Sequence, residues 1–232
     1  MWQYSLQQCI KDELSITNNS PPYVAFQLAT IDATSGYPSN RTVVFRGWLF
    51  DNIDTSVITF TTDKRMQKYR ELLKNDKFEA VFYFSHIKKQ FRLRGRAQII
   101  DEDHKPLLSS LASSVSFIPR NSSSDSLSMS YVSPAQDQWK NEISRQWNGL
   151  SKNMKKSFVK PTPKDVLNGS NEKLLSSIHR GVDGKHEDYG LKNFAIIGLF
   201  VDYVDYCDLD KDRRYIYELD ESQQWNEQAV CP

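Results

Sequence analysis

From Gln90 to Ile100 the chain alternates residue by residue, with Gln90, Arg92, Arg94 and Arg96 set against Phe91, Leu93, Gly95 and Ala97. An extended strand keeps such a pattern on two fixed faces. A row of long polar side chains is costly to bury without partners, so that face must meet water, carboxylates or an anionic ligand. Gly95 inside the strand predicts a bulge or a close backbone approach. Just upstream, Phe78 to Ile87 (FEAVFYFSHI) is too uniformly apolar and aromatic for a surface strand. It reads as a core strand of a barrel or sandwich, with Lys88-Lys89 as the tight turn between the two. The chain is therefore committed to a sheet.

Further strands follow from the same period. Tyr23 to Ile31 places Val24, Phe26, Leu28 and Thr30 on one side. After a loop at Ser35–Asn40, residues 41–50 put Arg41, Val43, Phe45 and Gly47 on one face and Thr42, Val44, Arg46 and Trp48 on the other. Val57 to Thr62, Asn193 to Tyr203 and Arg213 to Leu219 complete the set. Helices are predicted at the periphery. Residues 1–14 carry Trp2, Leu6, Cys9, Ile10 and Leu14 at helical spacing, and a second helix follows Asp63 as its N-cap, with Met66, Tyr69, Leu72 and Leu73 on one side. Residues 103–113 are expected to form a short helix, and Ser113–Ser130 a serine-rich loop. A further helix starts at Ser133-Pro134 and carries Trp139, Ile143 and Trp147, an aromatic stripe that reads as packing. Residues 151–190 read as a surface excursion or lid.

Charge narrows the function. The formal net charge is +1, with 25% charged residues, which speaks against a dedicated nucleic-acid binder. Lys88, Lys89, Arg92, Arg94 and Arg96 crowd one segment, while Asp202, Asp205, Asp208, Asp210 and Asp212 crowd another. The two are expected to cancel across the fold or a subunit contact. Cys9, Cys207 and Cys231 have no metal-ligand spacing and point to a reducing, cytoplasmic setting. The first residues lack the basic and apolar regions of a signal peptide, and no stretch has the length of a membrane span.

Three basic segments at strand ends meet the needs of a pocket for a phosphorylated small molecule. Thr61, Thr62 and the following helix start offer hydroxyls, backbone N–H groups and the positive end of a helix dipole. Lys64, Arg65 and Lys68 add full charges there, although an exposed basic helix face has the same composition and Asp63 opposes an anion. Asp208 to Leu219 begins like a calcium loop but has Arg213 where glycine is required and Leu219 where glutamate is required. His86, His104, His179 and His186 lack close metal-ligand spacing. No nucleophile or acid–base pair stands out.

Arg41-Thr-Val-Val-Phe-Arg46, Phe60-Thr-Thr ahead of a basic helix with Lys68, and Lys89-Gln-Phe-Arg-Leu-Arg-Gly95 occur in this order. Together they resemble the FMN-binding split β-barrels of the pyridoxamine 5'-phosphate oxidase family, over residues about 20 to 100 and more weakly over 212–232. The resemblance implies a mainly β fold with peripheral helices, in one domain spanning 1–232. Residues 1–100 would be the flavin-binding core, 101–190 helices and long loops, and 191–232 the strands that complete the barrel. It also implies a homodimer with FMN in grooves between the chains. Arg41, Thr42, Val43, Val44 and Arg46 would line the flavin, and Thr61, Thr62 and Lys68 would hold its phosphate end. Gln90 would reach the neighbouring groove and Arg214 the ring. Arg65 and Gln67 fall in the phosphate segment, but Met66 and Gln67 stand where the oxidase has a serine and an arginine. The substrate-phosphate binders of that enzyme are also replaced, by Asp101-Glu-Asp-His-Lys-Pro and by Asp210-Lys-Asp212. The expectation is an FMN-dependent oxidoreductase of the oxidase-like branch with an unspecified substrate. A flavin-storage protein and an OB-like single-strand nucleic-acid surface built on Arg92, Arg94 and Arg96 are the alternatives.

Overall fold

A computed structural model of the chain describes residues 1–106, 136–178 and 187–232. The serine-rich loop, Ser133-Pro134, His179, His186 and most of the helix expected at 103–113 lie outside them, and residues up to 106 are not helical.

The alternating segment forms a hairpin. β4 (Lys77–Phe84) and β5 (Lys89–Ile100) pair antiparallel with Phe82 opposite Phe91. Around them lie β1 (Ala25–Ile31), β2 (Pro38–Val44), β3 (Val57–Asp63), β6 (Phe194–Asp208), β7 (Arg213–Leu219) and β8 (Trp225–Val230). The order is β2-β1-β4-β5-β6-β7-β8, with β3 also paired to β6 and every pairing antiparallel.

The strand expected over 41–50 is corrected here: β2 begins at Pro38 and ends at Val44. Phe45 N–H still reaches the Val24 carbonyl at 2.9 Å. Arg46 N–H then donates to the Thr59 carbonyl at 2.9 Å, and Thr59 N–H to the Gly47 carbonyl at 2.9 Å. Gly47, at φ 97°, permits the change of direction. One run of chain thus leaves β1 and joins β3, which closes a ring of β2, β1, β4, β5, β6 and β3. The closed ring satisfies edges that an open sheet would expose.

Phe26, Leu28, Phe60, Phe82, Phe91 and Leu93 fill the barrel, with Phe26 and Phe82 stacked at 4.5 Å. α1 (Trp2–Ile16) inserts Trp2, fully buried, against Trp48 and Trp225. A second apolar cluster forms outside the ring. α3 (Gln136–Asn148) brings Trp139, Ile143 and Trp147 onto Leu49, Ile100, Phe194 and Ile196, so the aromatic stripe is packing. The excursion after it is partly helical, with α4 (Lys152–Ser157) and α5 (Gly169–Ile178). β8, whose exposed polar residues give no alternation signal, was not anticipated from the sequence.

The two charged segments cancel within the fold, because β5 and β6 are neighbours. Lys88 meets Asp210 at 3.4 Å, Lys89 meets Asp208 at 3.8 Å and Arg92 meets Asp205 at 4.0 Å. Arg94 and Arg96 pair with Glu79 and Asp76 on their other side. The bulge expected at Gly95 is present as a register shift between Arg94 and Gly95. Among the described residues no helix is long and apolar enough to cross a membrane.

Candidate functional site

Where β2 ends and β3 runs toward α2 (Gln67–Lys74), the barrel presents a groove of about 440 Å³, within the size range of small-molecule sites. One wall is Thr42, Val43, Val44 and Arg46 with Thr61, Thr62, Asp63, Met66 and Lys68. The other comes from the excursion: Met154, Ser157, Phe158, Lys160, Pro161, Pro163 and Leu175. The lining is mainly apolar, with hydroxyls and cations at defined points.

Asp63 does not cap α2, as its position had suggested. Its carboxylate accepts from Arg65 N–H at 2.8 Å and from the Arg65 guanidinium at 2.6–3.2 Å. Met66 N–H donates to the Asp63 carbonyl at 3.0 Å, and the helix starts only after Met66, which caps with no side-chain bond. The turn uses up Asp63, so the carboxylate that opposed an anion is neutralised in place.

Lys68 stands differently. Its ammonium has Thr62 Oγ1 at 3.4 Å and Met66 Sδ at 2.8 Å, and it forms no ion pair among the described residues. Burial first, then the Arg41 guanidinium nearby, push its pKa down to about 8, against the pull of Asp63 and Glu71. Arg46 is similar: its Nε is buried without a hydrogen-bond partner, and burial depresses the guanidinium below its ordinary value. Buried cations normally have partners. Lys68 and Arg46, both partly buried and without an ion pair among the described residues, lie on one groove, which suits an anionic, partly apolar ligand.

The remaining predicted residues divide. Arg41 lies outside the lining: its guanidinium pairs with Glu71 at 2.6 Å and bonds to the Ser39 carbonyl at 2.9 Å and to the Thr30 hydroxyl. Burial works against the Glu71 charge, but hydrogen bonds from Thr30, Ser39 and Arg41 outweigh it and hold the carboxyl below its ordinary value. Gln67 donates to Glu71 at 2.8 Å and accepts from Lys164. Arg65 donates to the carbonyls of Lys160 at 2.8 Å and Phe158 at 3.1 Å. Gln90 and Arg214 are away from this groove. They flank Cys207 in one cross-strand row of β5, β6 and β7, and Arg214 forks onto Asp205 at 2.6 and 2.8 Å.

Sequence reasoning missed the excursion's contribution, since no local period marks Met154, Lys160 or Leu175. It also missed Asp101, Asp103 and His104, whose ligand atoms lie within 4.8 Å of one another. Asp101 accepts there from Tyr69 and from the N–H groups of Asp103 and His104, each at 2.8 Å, and meets Lys64 at 3.4 Å. Those contacts hold the turn after β5.

Residues 1–101 match the family described as pyridoxamine 5'-phosphate oxidase, FMN-binding domain. The uncharacterized protein YGR017W of Saccharomyces cerevisiae is 32% identical over 94% of this chain and 95% of its own. Pyridoxine/pyridoxamine 5'-phosphate oxidase 2 of Arabidopsis thaliana is 42% identical, over 43% of this chain and 46% of its own. Among solved structures, a pyridoxamine 5'-phosphate oxidase-related, FMN-binding protein of Nostoc punctiforme superposes with a TM-score of 0.70 at 23% identity, covering 100% and 97% of the two chains. PhzG of Burkholderia lata, solved with tetrahydrophenazine-1-carboxylic acid, gives 0.61 at 17% identity, covering 96% and 90%.

Proposed function

Because the chain belongs to the pyridoxamine 5'-phosphate oxidase-like family of FMN-binding split barrels, we propose that the groove holds FMN and that the protein is an FMN-dependent oxidoreductase. The observation that carries the reading is the pair of partly buried cations, Lys68 and Arg46, on one groove, with no ion pair among the described residues. FMN supplies both needs: a phosphate for a buried ammonium, and a flat ring whose polar edge suits a guanidinium.

On this reading Lys68, Thr61 and Thr62 bind the phosphate end. Thr42, Val43, Val44 and Arg46 face the ring, and Met154, Phe158 and Leu175 exclude water from it. Arg41 acts through Glu71 and fixes β1, β2 and α2 relative to one another. Bound FMN would supply hydride and electron transfer, chemistry that no side chain carries alone. Gln90 and Arg214 would complete the groove of a second copy, since a two-fold dimer offers each groove the other chain's outer face. The substrate-phosphate residues of the authentic oxidase have no counterpart at Asp101–Pro106, which supports a different substrate.

The purified protein should be yellow, and the apoprotein should regain flavin absorbance on titration with FMN. A colourless protein that ignores added FMN would defeat the proposal. A storage role is the second reading, favoured by Asp63, the only carboxylate among the described lining residues, being locked to Arg65. Rapid reduction by NADPH or NADH followed by oxidative turnover would exclude it.

A further inference from the structure

We propose that Lys160, on the connector between α4 and α5, is a phosphate ligand of the groove, and that Arg65 is the residue that positions it. The inference rests on the FMN reading and adds to it a cation from a distant part of the chain.

The barrel side of the groove is short of charge for a dianion. Gln67, the first residue of α2, is neutral and already bonded to Glu71 and Lys164. Met66 offers a thioether. Arg65, which carries the charge at this turn, has every donor nitrogen in use: Nε and Nη2 on the Asp63 carboxylate, Nη1 on the Lys160 carbonyl, and Nη2 again on the Phe158 carbonyl. It cannot also serve a phosphate without releasing a buried carboxylate, which costs more than the new contact returns. Among the described residues, Lys68 is the one cation of α2 and the turn before it that lines the groove.

The bonds that occupy Arg65 also bring the missing charge. They fasten the backbone of residues 158–160 to the turn between β3 and α2. Phe158 anchors the same backbone from below: it is 4% exposed, packs on Trp147 and Phe194, and its carbonyl also accepts from Asn193 at 2.8 Å. Gly190 makes room for it, since a Cβ there would stand 2.8 Å from Phe158 Cβ. Lys160 is thereby held in the groove lining, partly buried, and its ammonium has no ion-pair or hydrogen-bond partner among the described residues. A lysine on a fastened connector that lines the same groove as Lys68 gives a dianion a second cation from another part of the chain.

The test compares FMN with riboflavin, which lacks only the phosphate. Apoprotein is titrated with each by flavin fluorescence, at low and high salt, for the wild type, Lys160→Ala and Lys160→Arg. Lys160→Ala should weaken FMN roughly tenfold, the loss of one charge-assisted bond, flatten the salt dependence and leave riboflavin within about twofold. Lys160→Arg should keep most of the FMN affinity. An alanine variant that binds FMN like the wild type, or that loses riboflavin equally, overturns the role of Lys160 while the FMN reading stands. A wild type that binds neither flavin overturns both.

Discussion

Lys68 makes the strongest statement at the scale of single residues. Burial lowers its pKa from the ordinary 10.5 to about 8 in the fold. Between those values the unfolded chain binds more protons than the folded one, so stability rises with pH across that window, and the full penalty of burying the charge is present below it. An anion in the groove relieves the penalty and requires the proton. FMN affinity should therefore fall as pH rises above about 8, approaching tenfold per unit. Calorimetry in two buffers of different ionisation enthalpy should show proton uptake on binding at that pH, and its absence would refute the assignment. Lys68→Met should cost FMN roughly tenfold or more while raising the melting temperature of the ligand-free protein by a few degrees, about 4 °C per kcal/mol or less for this size. Arg65→Met should be costly for the opposite reason. It strands Asp63, whose side chain is 5% exposed, and should lose about 3 kcal/mol in urea melts. Adding Asp63→Asn should recover part of that loss.

For the elements, Gly95 is the sharpest test. It adopts φ 155°, and a Cβ there would lie 1.9 Å from the Phe200 carbonyl oxygen, a backbone atom that cannot step aside. Gly95→Ala should force β5 and β6 apart and destabilise by about 3 kcal/mol, or leave the protein insoluble. The sequence announced this bulge because a glycine in a strongly alternating strand has few other uses. It did not announce the break after Val44. Alternation through Arg46 and Trp48 continues on paper, but the backbone there exchanges β1 for β3, and hydrogen-bond partners leave no trace in side-chain periodicity. Likewise Asp63 looked like a cap because a carboxylate before an apolar periodic run usually is one. Arg65 outcompeted the helix for it.

At the scale of the whole molecule, the proposed dimer can be tested. Gln90 and Arg214 flank Cys207 outside the lining of the chain's own groove, so their effect on FMN should appear only through a partner. Lys68→Met and Arg214→Ala chains, each poor at binding FMN alone, should recover one sound site per mixed dimer when refolded together. Failure to recover any FMN binding, with dimers verified by sedimentation, would show that Arg214 serves no neighbouring groove. Arg214 and Arg92 share the Asp205 carboxylate, which offsets part of the positive charge on this face.

Residues close in sequence were enough to determine the β-rich architecture, the β4–β5 hairpin, the terminal helix and a basic strand-to-helix turn, because period, turn chemistry and glycine preferences act within a few positions. Which cations stay free was decided only by folding. Arg41 found Glu71, thirty positions away, and Arg65 found carbonyls ninety-three and ninety-five positions away. Among the described residues, Arg46 and Lys68 found no carboxylate. Ion pairing is a contest among all charges brought within a few ångströms, and only the tertiary structure fixes the contestants.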